Sequence, residues 1–252
     1  MSAPTFLIDP QQAASALVGQ RLVLDGPEGR HASAVQRLRA GERIDLVDGQ
    51  GRRIEGHISG HVAEVPSKDS CLIEVDHVVD EPAPRPLITA VQGIAKGERG
   101  ELAVQMLTET GIDVIVPWQA EHSIARWEGE RGAKHRAKWQ ATAREAAKQS
   151  RRSWIPPIQP AVGTAAVADL IAGAGIALVL DEEATTPLTS LDISSVHDVL
   201  LVIGPEGGLS ANERAVFADF GADLVRLGPT VLRTSTAGVA ALGAVMARTG
   251  RW

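Results

Sequence analysis

The stretch Val199-Leu200-Leu201-Val202-Ile203-Gly204-Pro205-Glu206-Gly207-Gly208-Leu209-Ser210-Ala211-Asn212-Glu213 decides how this chain is read. A run of consecutive apolar residues that stops at a glycine turn reads as a strand buried on both faces. Ser210-Ala211-Asn212-Glu213 is a capping box, in which the serine hydroxyl and the glutamate carboxylate each accept from the other residue's amide, and it fixes a helix start. A strand therefore stops at glycine and hands over to a helix, and such strand ends are where open α/β sheets bind ligands. Glycines let the backbone turn sharply and approach a ligand with no Cβ in the way. The same turn also serves as a plain strand-to-helix connection.

A second junction of this kind follows: Leu227-Gly228-Pro229, then Val231-Leu232-Arg233-Thr234-Ser235-Thr236-Ala237. Two such loops close in sequence suggest one cofactor cleft, and so an enzyme rather than a scaffold. Hydroxyls at 234–236 suit the cap of a helix that begins near Ala237. Arg233, at the junction, suits a phosphate or substrate contact; a solvated surface position is the plainer alternative. Residues 237–245 are almost all small and apolar, as in a helix packed on most sides against the cleft or a partner subunit.

Working outward, apolar strands at 87–91, 113–117, 176–180, 199–203 and 223–227 alternate with helical stretches at 98–110, 132–150, 165–172, 210–220 and 236–247. This alternation predicts a parallel sheet with helices on both faces. Glu81-Pro82-Ala83-Pro84-Arg85-Pro86 is the linker, since its prolines disfavour both helix and inner strand. Upstream, 21–24, 43–48, 53–58 and 71–75 read as half-buried strands, Asp48-Gly49-Gln50-Gly51 as a turn and 29–40 as the helix. The organisation read from the sequence is a small β-barrel over 1–80, a linker over 81–86 and an α/β domain over 87–252.

The 252 residues are 44% apolar and 22% charged with net charge −6, so nucleic-acid binding has to come from local patches. The densest patch runs from Arg126 to Arg152. It holds Arg126, Arg131, Lys134, Arg136, Lys138, Arg144, Lys148, Arg151 and Arg152 against Glu128, Glu130 and Glu145. That is a positive stripe suited to phosphates, although a charge run is commonly a solvated helix face. Trp127, Trp139 and Trp154 bracket it, with core packing as the expected role. The absence of tyrosine and the presence of only three phenylalanines disfavour a base-stacking sheet. The single Cys71 excludes an intrachain disulfide, and the scattered histidines predict no metal site. No signal-peptide pattern or membrane-length apolar run is present, which predicts a cytoplasmic protein without a membrane partner. Neither a P-loop nor a dinucleotide-binding G-x-G-x-x-G appears, so the cofactor is expected to be neither a nucleoside polyphosphate nor NAD.

Gly204-Pro205-Glu206-Gly207-Gly208 with Leu227-Gly228-Pro229 and Leu232-Arg233-Thr234-x-Thr236-Ala237 resembles the RsmE family, the 16S rRNA uridine N3-methyltransferases of the SPOUT class. His31-x-x-x-Val35-x-Arg37-x-x-x-Gly41, Gln92-Gly93-x-x-Lys96-Gly97-x-Arg99 leading to Glu109-x-Gly111, and Arg144-Glu145-Ala146-Ala147-x-Gln149-Ser150-x-Arg152 with Pro156 resemble further segments of that family in the same order. The sequence departs from the family at Pro4-Thr5-Phe6-Leu7, where a basic residue is frequent, and at Arg30-His31, where the family often has two histidines.

The resemblance implies an N-terminal PUA-like β-barrel and a C-terminal SPOUT domain whose parallel sheet ends in a trefoil knot that holds S-adenosylmethionine. It implies a homodimer acting on 16S rRNA or the small ribosomal subunit, with no metal. By the same resemblance Leu180, Asp181, Gly204, Pro205, Glu206, Gly207, Gly208, Leu227, Gly228, Leu232, Arg233, Thr234, Thr236 and Ala237 would line the cofactor pocket. Arg233 would stabilise charge on the uracil carbonyls, and Glu206 would act as base or as orienter. Arg37, Arg39, Lys96, Arg126, Arg144, Gln149 and Arg152 would contact RNA. The alternatives are a non-catalytic ribosome-assembly factor and a SPOUT enzyme acting on another RNA.

Overall fold

The computed structural model describes residues 3–60 and 70–252. The chain divides into two compact units, Met1–Ala83 with Ala147–Ile155, and Pro84–Ala146 with Pro156–Trp252.

The first unit contains β1 (Thr5–Leu7), α1 (Pro10–Ala14), β2 (Arg21–Leu24), α2 (Gly26–Arg30), β3 (Arg43–Val47), β4 (Arg52–Gly60) and β5 (Cys71–Asp80). They form one sheet in the order β1-β3-β4-β5-β2, with β1 parallel to β3 and the other pairs antiparallel. Alternate residues (Ile44 and Leu46, Ile54 and Ile58, Ile73 and Val75) enter a core with Phe6, Leu22 and Leu24. That is the period-two pattern of a half-buried strand. The helix expected over 29–40 stops early. After α2 one π-turn covers His31–Val35, and Arg37 takes φ +55°, in the left-handed region that terminates a helix.

Residues 147–155, read from the sequence as part of the 87–252 domain, pack with the first unit. Gly49 has φ +79°, and a Cβ there would lie 2.8 Å from Ile155 Cδ1. The Trp154 indole donates to the Glu81 carbonyl at 3.2 Å, Ser153 Oγ donates to the Glu81 carboxylate, and the Arg53 guanidinium donates to the Arg151 carbonyl at 2.8 Å.

The second unit contains β6 (Leu87–Gly93), α3 (Arg99–Thr110), β7 (Val114–Gln119), α4 (Gly129–Gln149, its last three residues grouping with the first unit), β8 (Val162–Gly163), α5 (Thr164–Gly173), β9 (Ala177–Leu180), β10 (Thr186–Pro187), β11 (Asp198–Ile203), α6 (Ala211–Asp219), β12 (Asp223–Arg226) and α7 (Thr234–Thr249). Its sheet runs β10-β12-β9-β11-β6-β7-β8, and every pair is parallel. β11 shows why its sequence is continuously apolar. Leu201 and Ile203 enter a core with Leu107 of α3 and Leu242 and Val245 of α7, while Leu200 and Val202 enter the opposite core with Ile171 of α5 and Phe217 of α6. Each such side chain contributes roughly 1.5–3 kcal/mol of burial, so both sheet faces are strongly specified. Among the described residues no helix is long and apolar enough to cross a membrane.

Candidate active site

Three neighbouring strands of the second unit, β12, β9 and β11, end side by side. Their carboxyl ends surround a cavity of about 780 Å³.

β11 ends at Ile203, and residues 204–208 turn the chain into α6. Gly208 has φ +67°, which only glycine adopts without strain. The capping box forms as read: Glu213 N donates to Ser210 Oγ at 3.1 Å, and Ser210 N donates to Glu213 Oε2 at 2.9 Å. Glu213 does more than cap. Its carboxylate, on a residue only 1% exposed, also accepts from Glu121 N at 2.8 Å and Thr164 Oγ1 at 3.1 Å. These donors, with the N-terminal end of α6, stabilise the buried charge. One side chain thereby joins the exits of β7 and β11 to the start of α5.

The glycine loop is tied to its surroundings at each step. The Gly204 carbonyl accepts from Thr234 Oγ1 at 2.7 Å, and that oxygen accepts from Gln92 Nε2 at 2.8 Å. Glu206 Oε1 accepts from Lys96 N and from Arg99 Nη1, both at 3.1 Å. His122 Nδ1 donates to the Gly207 carbonyl at 2.9 Å. Gly93 of β6 fits closely beneath, where a Cβ would lie 2.5 Å from Pro205 N. Past β9, Asp181 accepts from Arg214 Nε at 2.7 Å, and Arg214 also pairs with Glu183 at 3.1 Å. Past β12, Leu227 and Gly228 line the cavity, followed by the loop into α7.

Of the residues assigned to the cofactor, the cavity is lined by all but Thr236, which is exposed on α7. The capping expectation is corrected as well. α7 begins at Thr234 with Arg233 at the N-cap and no side-chain cap, because the Thr234 hydroxyl is turned to Gly204. The lining also includes Arg99, His122 and Arg214, which the site reading missed. Arg99 of α3 and His122 of the loop after β7 are brought there by sheet order rather than local sequence, and Arg214 by its place in the first turns of α6, next to the capping box. Four carboxylates (Asp181, Glu182, Glu183, Glu206) face four arginines (Arg99, Arg214, Arg226, Arg233) around the cavity. The described residues contain no cluster suited to a metal.

The profile of the RNA methyltransferase domain family matches residues 81–246. Ribosomal RNA small subunit methyltransferase E of Mycobacterium bovis is 41% identical over 257 residues, spanning 100% of this chain and 94% of that protein. The chain belongs to the RsmE family. A Bacillus subtilis member is 27% identical over 234 residues, 90% of each chain. The crystal structure of the Neisseria gonorrhoeae member bound to S-adenosyl methionine matches with a TM-score of 0.84 and 29% identity over 98% of each chain.

The basic stripe of this RsmE chain is less uniform than its composition. Lys148 is buried and paired with Glu28 at 2.9 Å, Lys138 pairs with Glu101 at 2.9 Å, and Arg136 Nε donates to the Ile158 carbonyl. The Glu101 carboxylate pushes the Lys138 ammonium up from its ordinary value. Arg126 and Arg144 are exposed in the second unit; Gln149 is exposed and Arg152 half-buried in the first. Arg37 and Arg39 of the first unit and Lys96 of the second are exposed. Trp139 is a core residue, edge-on to Trp127 at 4.8 Å.

Proposed function

We propose that this chain transfers the methyl group of S-adenosylmethionine to N3 of a uridine in 16S rRNA. The observation that carries the reading is the meeting of three strand ends on one cavity, two of them running into glycine loops, in a member of the RsmE family. The cavity fits such a cofactor. Gly208 and Gly228 each have open space where a Cβ would sit, so bare backbone faces the ligand. Leu180, Leu227 and Leu232 provide apolar walls beside backbone donors and acceptors, the mix a nucleoside needs. The Neisseria relative, bound to S-adenosyl methionine, supports the same cofactor.

When bound, S-adenosylmethionine supplies a methyl group on a positively charged sulfur, reactive enough to need no metal. The protein's part is to align and to stabilise charge. Arg233 stabilises the charge that develops on the uracil carbonyl oxygens. Glu206 acts as an orienter: its carboxylate is engaged by Arg99 and the Lys96 amide, which holds the loop and leaves it a poor base. The RNA is held by Arg37, Arg39, Lys96, Arg126, Arg144, Gln149 and Arg152.

The segment from β12 to α7 threads the loop after β11 as a trefoil knot. The chain of hydrogen bonds from Gln92 through Thr234 to the Gly204 carbonyl supports this, since it draws the start of α7 beneath that loop. The mixed sheet of the first unit is the body of a PUA-like barrel. The enzyme acts as a homodimer, supported by the small exposed residues Thr236, Ala240 and Ala247 along α7, and it works in the cytoplasm where rRNA is made.

Calorimetry of the full chain with S-adenosylmethionine, using NAD and ATP as controls, tests the cofactor assignment. Selective binding is expected. No binding with or without small-subunit RNA would favour the non-catalytic factor.

A further inference from the structure

We infer that His122 is the catalytic residue that takes the N3 proton of the target uridine; this rests on the methyl-transfer reading above. A uracil ring nitrogen carries a proton at neutral pH and attacks well only as that proton leaves, so the reaction needs an acceptor.

The four carboxylates that line the cavity are poor candidates. Glu206 is held by Arg99 and the Lys96 amide, and Asp181 and Glu183 are both held by Arg214. Glu182 makes no hydrogen bond or ion pair among the described residues, so nothing fixes its carboxylate toward a reacting atom. The remaining charged groups on the lining are the cations Arg226 and Arg233 on the β12 side. Glu121 precedes His122, and its amide is fixed by the buried Glu213.

His122 is the one imidazole on the lining, and a neutral imidazole offers one ring nitrogen as a proton acceptor while the other stays a donor. Its geometry prepares it for the role. A carbonyl oxygen can only accept, so the 2.9 Å contact to Gly207 requires the proton on Nδ1. In the neutral ring Nε2 then carries the lone pair, and it has no protein partner among the described residues. The bond that fixes the tautomer also anchors the ring to the cofactor loop. In the step, the N3–H bond breaks toward Nε2 and leaves its electron pair on N3. That pair forms the N–CH₃ bond, and the pair of the methyl–sulfur bond stays on sulfur. The imidazolium then releases its proton to water.

His122→Asn separates this role from a structural one, because its amide nitrogen replaces Nδ1 as donor to Gly207 and offers no base. We expect unchanged S-adenosylmethionine affinity by calorimetry. We also expect single-turnover methylation slowed about 100-fold or more, and without the acid limb expected of the wild-type rate. In the ligand-free protein, ¹⁵N NMR is expected to place the neutral-ring proton on Nδ1. A His122→Asn enzyme with wild-type rate and an intact acid limb, a variant that loses cofactor affinity, or a ring protonated at Nε2 would each overturn the inference. Wild-type protein that binds the cofactor but makes no N3-methyluridine would instead overturn the functional reading beneath it.

Discussion

A single methyl group at Gly93 probes the architecture of the cofactor loop. Gly93 is the last residue of β6, beside the end of β11, where Gln92 is in register with Ile203. A Cβ placed on it would lie 2.5 Å from Pro205 N, 2.8 Å from Gly204 C and 2.9 Å from Pro205 Cδ. Non-bonded carbon contacts settle at about 3.5–4.0 Å, so the loop would have to withdraw by about 1 Å. It cannot do so freely, because Thr234, His122 and the Lys96 amide hold Gly204, Gly207 and Glu206. Overpacking of this kind costs about 1–3 kcal/mol. Gly93→Ala should therefore lower the urea-unfolding free energy by that amount. A displaced loop should also weaken S-adenosylmethionine binding about tenfold or more, the equivalent of about 1.4 kcal/mol. Gly173→Ala is the control. It sits at the end of α5 with no described atom within 4 Å of its Cβ and no positive φ, so it should leave affinity at wild type and, if anything, stabilise by about 0.4–1 kcal/mol. Wild-type stability and affinity in Gly93→Ala, measured beside that control, would refute the reasoning.

Glu213→Ala should destabilise the protein by about 2–4 kcal/mol in urea unfolding, because it takes the acceptor from the buried Ser210 amide and the partly buried Glu121 amide together. Arg233→Ala should slow methyl transfer about 100-fold or more while thermal stability stays unchanged, since its side chain is exposed at the cavity. Lys148→Ala should cost about 3 kcal/mol in unfolding free energy by breaking its buried ion pair with Glu28, yet leave the salt dependence of RNA binding intact. Arg126→Ala should do the reverse, reducing the slope of log affinity against log salt by about one with no change in stability. Burial pushes the Cys71 thiol up from its ordinary value, so it should stay unreactive to disulfide reagents at neutral pH until the protein is unfolded.

The parallel sheet was legible because its central strands are buried on both faces and so write continuous apolar runs, as in residues 199–203. β8 and β10, two residues each, are too short to carry any period. The early end of the helix after Arg30 rests on a left-handed Arg37, a residue type that gives no local warning. The return of residues 147–155 to the first unit depends on contacts of Ile155 and Trp154 with residues about seventy to a hundred positions away, beyond the reach of any window. At the site, glycines and the capping box marked the loops. Arg99 and His122 were not assigned to the site because only the strand order, with β6 and β7 beyond β11, carries their segments to the cavity, and Arg214 because a charge one position past the capping box gives no local sign of facing the cleft. Composition misplaced Lys148 for a related reason: the count of cations across 126–152 cannot show which face of α4 is covered.

The most direct test of the central claim is where the methyl group goes. Purified protein, S-adenosylmethionine with a labelled methyl group and small ribosomal subunits or 16S rRNA from cells lacking this activity would be incubated together, and the RNA digested to nucleosides for mass spectrometry. The account predicts label in 3-methyluridine, at one position and in near-stoichiometric yield. Label on another base, on ribose, or on no nucleoside at all despite cofactor binding would contradict it.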